Sequence, residues 1–176
     1  MKNYWDKGIS FEEYLQIAKE RLENPANQQE ADYKQYYELG LQRMDRTVKK
    51  YVPDEDQLKE LAAKNFDGKI LIISEAWCGD ASATVPAVFR FFEGHNEVRV
   101  FLRDSDKSLI NQFLTNGTES IPKVLILDKD LNVKNSWGPR PKYGYELLMK
   151  YKADPEAYPK ETFYNDLQIY YAKNRG

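Results

Sequence analysis

The sequence predicts an α/β protein: a mixed central sheet flanked by helices, preceded by a helical extension and followed by an extra C-terminal helix. Three observations lead to that class. Lys69 to Ser74 (K-I-L-I-I-S) is a compact apolar run of the kind that forms a buried parallel strand. Strand-like and helix-like patterns alternate after it in the order β-α-β-α-β-β-α. The first fifty residues, by contrast, carry only helical spacing. A chain of 176 residues is long enough for one domain with appendages and short for two. The expected division is a helical extension over 1–53, an α/β domain over 54–152 and a helical tail over 153–176 packed on the core.

Taken in order, Ser10 and Glu13 have capping-box spacing. Phe11, Leu15, Ala18 and Leu22 then share one helix face as far as Pro25. A second helix is predicted from Gln29 to about Lys50, with Tyr33, Tyr37, Leu41, Met44, Val48 and Tyr51 near helical spacing. Asp54 opens a third, carrying Leu58, Leu61 and Ala62 and ending near Asn65-Phe66-Asp67-Gly68. After the first strand, a helix from about Gly79 to Phe92 turns Val85, Val88, Phe89 and Phe92 inward. Glu97 to Leu102 reads as the second strand and Asp106 to Thr115 as a second crossover helix. Val124 to Leu127 and Leu131 to Trp137 form a hairpin around Asp128-Lys129-Asp130. Helical pattern returns over Tyr143 to Tyr151 and Lys160 to Ala172. The 13 tyrosines crowd towards the two ends, where they are expected to pack helices on the core.

Composition excludes several functions. With 26 basic against 28 acidic side chains and no long basic run, nothing supplies the phosphate attraction that nucleic-acid binding needs. One cysteine, Cys78, and one histidine, His95, permit neither an internal disulfide nor a multi-thiolate or His/Cys metal site. No metal or other cofactor is therefore expected, and His95 is read as a surface loop residue. The longest aliphatic run, Ile70 to Ile73, is far too short to span a bilayer, and Met1 to Gly8 lacks a signal-peptide core. Those features predict a cytoplasmic protein with its thiol reduced and no membrane partner.

Cys78 is the residue with chemistry to offer. Trp77-Cys78-Gly79-Asp80-Ala81 lies between a buried strand and a helix, at the carboxyl edge of the sheet. The N-terminus of that helix favours a thiolate. Ser120-Ile121-Pro122 immediately precedes the third strand. This arrangement resembles the thioredoxin family, with W-C-G after the first core strand and I-P before the hairpin. Cys78 to Pro122 is 44 residues and Cys78 to Gly138 is 60, similar to the family's separations between nucleophile, cis-proline and last-loop glycine. The likeness covers roughly Asp54 to Tyr151. It is closer still to a bacterial thioredoxin-like subgroup bearing E-A-W-C-G-D-A, L-R-D, N-G-x-x-S-I-P-K and W-G-P-R-P, here Glu75–Ala81, Leu102–Asp104, Asn116–Lys123 and Trp137–Pro141.

The resemblance implies a thioredoxin-like fold, but its departures narrow the activity. Where thioredoxins carry the resolving cysteine this chain has Ala81, and where they bury the acid that serves it stands Ile72. Arg103 occupies the place of that acid's lysine partner. Autonomous dithiol reduction is thereby removed. A monothiol site remains, with Cys78 as nucleophile and an external thiol resolving the mixed disulfide. Trp77 is expected to cover the first turn, and Pro122, expected cis, to lay the Ile121 backbone against a docked chain. Arg103 or Arg140 is expected to support the thiolate and Asp80 to cap the helix, while Glu75 and Asp104 fall at the same strand ends. Asp80 also opposes ionisation, so the net shift of the thiol stays open. Trp137 to Pro141 is read as a strand-to-helix corner and Lys123 as a solvated strand end. The partner implied is a protein or a low-molecular-weight thiol or disulfide. The alternative is a redox-inactive binding module that keeps the thioredoxin groove, and the Tyr-rich terminal helices suit partner docking or homodimerisation equally.

Overall fold

A computed structural model describes residues 1–174 of the chain. Four strands form one sheet in the order β2-β1-β3-β4: β1 is Lys69–Ser74, β2 Val98–Leu102, β3 Lys123–Leu127 and β4 Val133–Trp137. β1 is central, parallel to β2 with Ile72 opposite Val100, and antiparallel to β3 with Ile72 opposite Val124. Burial on both faces explains its unbroken apolar run.

The two-residue period of β1 divides the core. Ile70 and Ile72 face one side with Val100 and Val124, packed by Phe11, Tyr14 and Ala18 of helix α2 (Phe11–Glu23), Tyr37 and Met44 of α4 (Lys34–Lys50), and Val85 of α6 (Ala81–Phe92). Leu71 and Ile73 face the other with Phe101, Leu125 and Leu127, against Trp5, Leu109 and Ile110. A third cluster joins Ala83 of α6 to Leu147 of α7 (Lys142–Ala153) and to Phe163, Leu167 and Tyr171 of α8 (Lys160–Asn174). Among the described residues no helix is long and apolar enough to cross a membrane.

The α2 capping box forms as its spacing predicts: Glu13 N–H donates to Ser10 Oγ, and Ser10 N–H donates to Glu13 Oε2. Asp54 caps α5 (Glu55–Ala63), which buries no residue despite its leucines. Two expectations are corrected. The single helix from Gln29 is two, α3 (Gln28–Asp32) and α4, broken at Tyr33, whose ψ of 5° leaves the helical region. The crossover helix over Asp106 to Thr115 is a single 3-10 turn at Ile110–Gln112. Leu109 and Ile110 are both fully buried, and adjacent residues cannot share one narrow helix stripe. That face of the sheet is filled by a helix the spacing did not predict, α1 (Lys2–Asp6), through Trp5. Beyond α1, Ile9 exchanges backbone hydrogen bonds of 2.9 and 2.8 Å with Val100 and so covers the outer edge of β2. Every residue of β4 is exposed at the opposite edge.

Candidate functional site

Cys78 stands between the carboxyl end of β1 and the first turn of α6, half-buried, with Trp77 and Gly79 half-buried beside it and Ala81 buried behind. Its thiol donates to the Ile121 carbonyl at 3.4 Å, so the loop after β1 and the loop before β3 are tied through sulfur. The Ile121–Pro122 peptide is cis, as is Gly138–Pro139. Gly138, at φ +119°, runs against Pro122: a Cβ there would collide with the Pro122 carbonyl oxygen. Cys78, Ile121, Pro122 and Gly138 are thus one neighbourhood built from three loops.

Two acids flank the cysteine. Glu75 is wholly buried; its Oε1 accepts the Asp104 N–H at 2.8 Å, and its Oε2 pairs with Arg21 of α2 at 2.9 Å. Arg21 also reaches Glu30 at 3.3 Å and the Tyr37 hydroxyl at 3.4 Å. Burial pushes the Glu75 carboxyl above its ordinary value, with the Asp104 N–H and Arg21 pulling the other way. On the far side, Asp80 accepts from Arg140 at 2.6 and 3.2 Å on one oxygen and from the Tyr171 hydroxyl at 2.7 Å on the other.

Asp80 therefore does not cap α6: no side-chain cap bond is made, because Arg140 and Tyr171 have claimed both carboxylate oxygens. Arg140 lies close enough to lower the thiol's pKa, but its guanidinium is bonded to Asp80. Arg103 is not a thiolate partner either. It bonds Asp104 at 2.7 Å and the Glu119 carbonyl at 3.1 Å, and its guanidinium lies over the Trp77 ring at 5.2 Å. Trp77 donates its Nε1–H to Asp104 at 3.2 Å and meets the Tyr33 ring at 5.0 Å. Lys123 is buried rather than solvated; its ammonium donates to Thr115 Oγ1 at 2.7 Å and to the Gly138 carbonyl at 3.2 Å. His95 is exposed in its loop.

The electrostatic result at sulfur has one sign. Desolvation first, and then the charge of Asp80, push the Cys78 thiol up to about 12, against the pull of the Ala81 and Asp80 N–H groups and of Arg140. Among the described residues no group of three His, Cys, Asp or Glu side chains is placed to hold a metal ion.

Several contributors escaped sequence reasoning because they come from the chain's ends. Tyr14 donates to or accepts from Ser74 at 2.9 Å, and burial raises its hydroxyl well above the usual range. Arg21, Tyr171 and Gln168, whose amide donates to the Gly79 carbonyl at 3.2 Å, lie 57, 93 and 90 residues from Cys78. Of their neighbours, Tyr37, whose hydroxyl accepts from Arg21, carried a signal in its helical spacing.

Comparison with known proteins places this geometry. The crystal structure of an HIV epitope-scaffold matches with a TM-score of 0.61 at 14% identity, covering 98% of this chain and 97% of the scaffold. A protein of unknown function from Pseudomonas aeruginosa matches with a TM-score of 0.55 at 17% identity, covering 97% of this chain and 95% of that one. These likenesses show the fold. No curated protein matches the chain. The family model described as Thioredoxin matches residues 26–153, and so takes in α3 and α4 as well as the sheet. With the mixed sheet, the loop after its central strand and the proline loop beside it all in place, the chain belongs to the thioredoxin family.

Proposed function

We propose that this protein is a docking module of the thioredoxin family, in which the groove between Trp77–Gly79 and the Ile121–Pro122 loop receives an extended segment of a partner protein. The observation that carries this reading is the hydrogen bond that the Cys78 thiol donates to the Ile121 carbonyl at 3.4 Å, and the upward push on its pKa agrees with it. A thiol pushed up to about 12 is almost entirely protonated at neutral pH, and the thiolate is the attacking species. Its proton instead bridges to the Ile121 carbonyl, giving the cysteine a structural use. The W-C-G-D-A, L-R-D, S-I-P-K and W-G-P-R-P blocks support assignment to the bacterial subgroup that bears them.

A second reading rests on a separate observation: the N–H groups of Asp80 and Ala81 point at sulfur, as a thiolate site requires. In that reading Cys78 attacks the sulfur of a partner's disulfide, the partner's other sulfur leaves and takes a proton, and an external thiol then displaces Cys78. Alkylation of native Cys78 against pH, with the urea-unfolded chain as reference, separates the two. The docking reading expects slow labelling and an apparent pKa above the free value of about 8.5. Rapid labelling with a pKa at or below about 7.5 would overturn it and install monothiol exchange.

A further inference from the structure

Arg43, Arg46 and Lys50 recur at three- and four-residue intervals along α4 and so share one face. Lys173 of α8 stands across from them. With Ser82 and Gln168 they line a cavity of about 480 Å³, within the range of small-ligand sites. Of the ten residues that line it, four are cationic and none is acidic. Among the described residues none of these four cations makes an ion pair, although neighbours do: Lys49 pairs with Asp45, and Arg140 with Asp80. The concentration is unlike the chain as a whole, whose formal net charge is −2.

Four like charges around one cavity repel one another, and the cavity walls lower the local dielectric. The Arg43 guanidinium shows the consequence: burial, and then the charge of Arg46, hold it below its ordinary value. Asp80, which Tyr171 of the cavity wall touches, offers no relief because it is already bonded to Arg140. A bound anion removes the repulsion and gives both guanidinium forks a bidentate acceptor.

We infer that this cavity binds a small phosphorylated ligand, its phosphoryl oxygens held by Arg43 and Arg46 and its remaining charge by Lys50 and Lys173. The Thr47 side chain in the wall adds a hydroxyl of the kind that accompanies phosphate contacts, whereas that of Ser82 donates to the Gly79 carbonyl at 2.7 Å. A nucleic-acid strand does not suit it, because the cations close around one cavity instead of forming a stripe along the surface. The site adjoins the cysteine loop: Arg43 Nη1 lies 4.0 Å from where a Cβ on Gly79 would stand.

Calorimetric titration with inorganic pyrophosphate, at constant ionic strength in chloride, tests the inference on the full chain. The expected result is saturable one-to-one binding. Arg43→Gln should weaken it at least about tenfold, the loss of one charge-assisted contact. Arg46→Glu combined with Lys50→Glu, both on exposed side chains, should abolish it while leaving the urea midpoint of the protein in place. Absence of saturable heat, or unchanged affinity in the double variant, would overturn the site. Equally tight binding of citrate would overturn its assignment to phosphoryl groups. No thiol chemistry enters, so the outcome is independent of the state of Cys78.

Discussion

Glu75 and Asp80 sit three residues before and two after the same cysteine, and the molecule treats them differently. Glu75 follows β1 in full burial and shares its arginine: Arg21 divides itself among Glu75, Glu30 and the Tyr37 hydroxyl. Asp80 is nearly as buried but has its cation to itself, with two N–H groups of Arg140 on one oxygen and Tyr171 on the other. One clamp is supplied by the N-terminal helices and the other by the loop before α7 together with α8. The comparison teaches that the terminal helices are parts of the site. It also shows how the positive charge near the thiol is spent: both arginines are bonded to acids, and the thiol keeps only the backbone N–H groups and the pull of an Arg140 already paired with Asp80.

The largest effect is expected at the less divided clamp. Arg140→Ala strands the Asp80 carboxylate in a nearly buried place and should lower unfolding free energy by about 3–5 kcal/mol in urea titrations at neutral pH. A loss below about 1 kcal/mol would show that Tyr171 suffices and that the clamps are equivalent.

Glu75 has an escape that its pH response reveals. Its folded pKa is raised above the unfolded 4.5, so its stabilising contribution is fullest below that value and is lost as pH rises through the folded pKa. Arg21→Ala raises the folded pKa further. The variant should therefore lose about 1–3 kcal/mol near pH 8, and the deficit should shrink towards about pH 5 as the carboxyl takes up a proton. Urea midpoints of both proteins across that window check it; a deficit that grows on acidification would mean Glu75 is not the group responding.

A smaller effect separates packing from charge. α4 approaches the cysteine loop through Gly40, where a Cβ would come within 2.5 Å of the Ala76 carbonyl oxygen. Gly40→Ala should cost about 1–2 kcal/mol by levering α4 away, with no pH dependence between about pH 5 and 8. A deficit that tracked pH as the Arg21 variant does would place Gly40 in the Glu75 clamp itself.

How much of this was legible depends on how local its cause is. The bounds of β1 and the Ser10–Glu13 capping box follow from short runs of sequence, because a buried strand and a helix cap are each decided within a few residues. The meeting of Cys78 with the Ile121–Pro122 loop followed from motif blocks that resemble a known family. The fate of 106–115 was not legible: its apolar residues fit a helix, and the 3-10 turn arises because Leu109 and Ile110 must both enter a core already occupied by Trp5. Lys123 reads as a surface residue in any window, and only the fold brings Thr115 and Gly138 to its ammonium.

The sequence by itself determined the class of fold, the position of the lone thiol at the sheet's carboxyl edge and the loss of a resolving partner, since each rests on residue identity and short-range pattern. The tertiary structure alone decided what that thiol is. Its proton affinity depends on desolvation and on a carboxylate whose own counter-charge comes from Arg140, 62 residues further along the chain. Electrostatic interactions act through space and grow as water is excluded, so their balance at Cys78 exists only once the distant helices have closed around it.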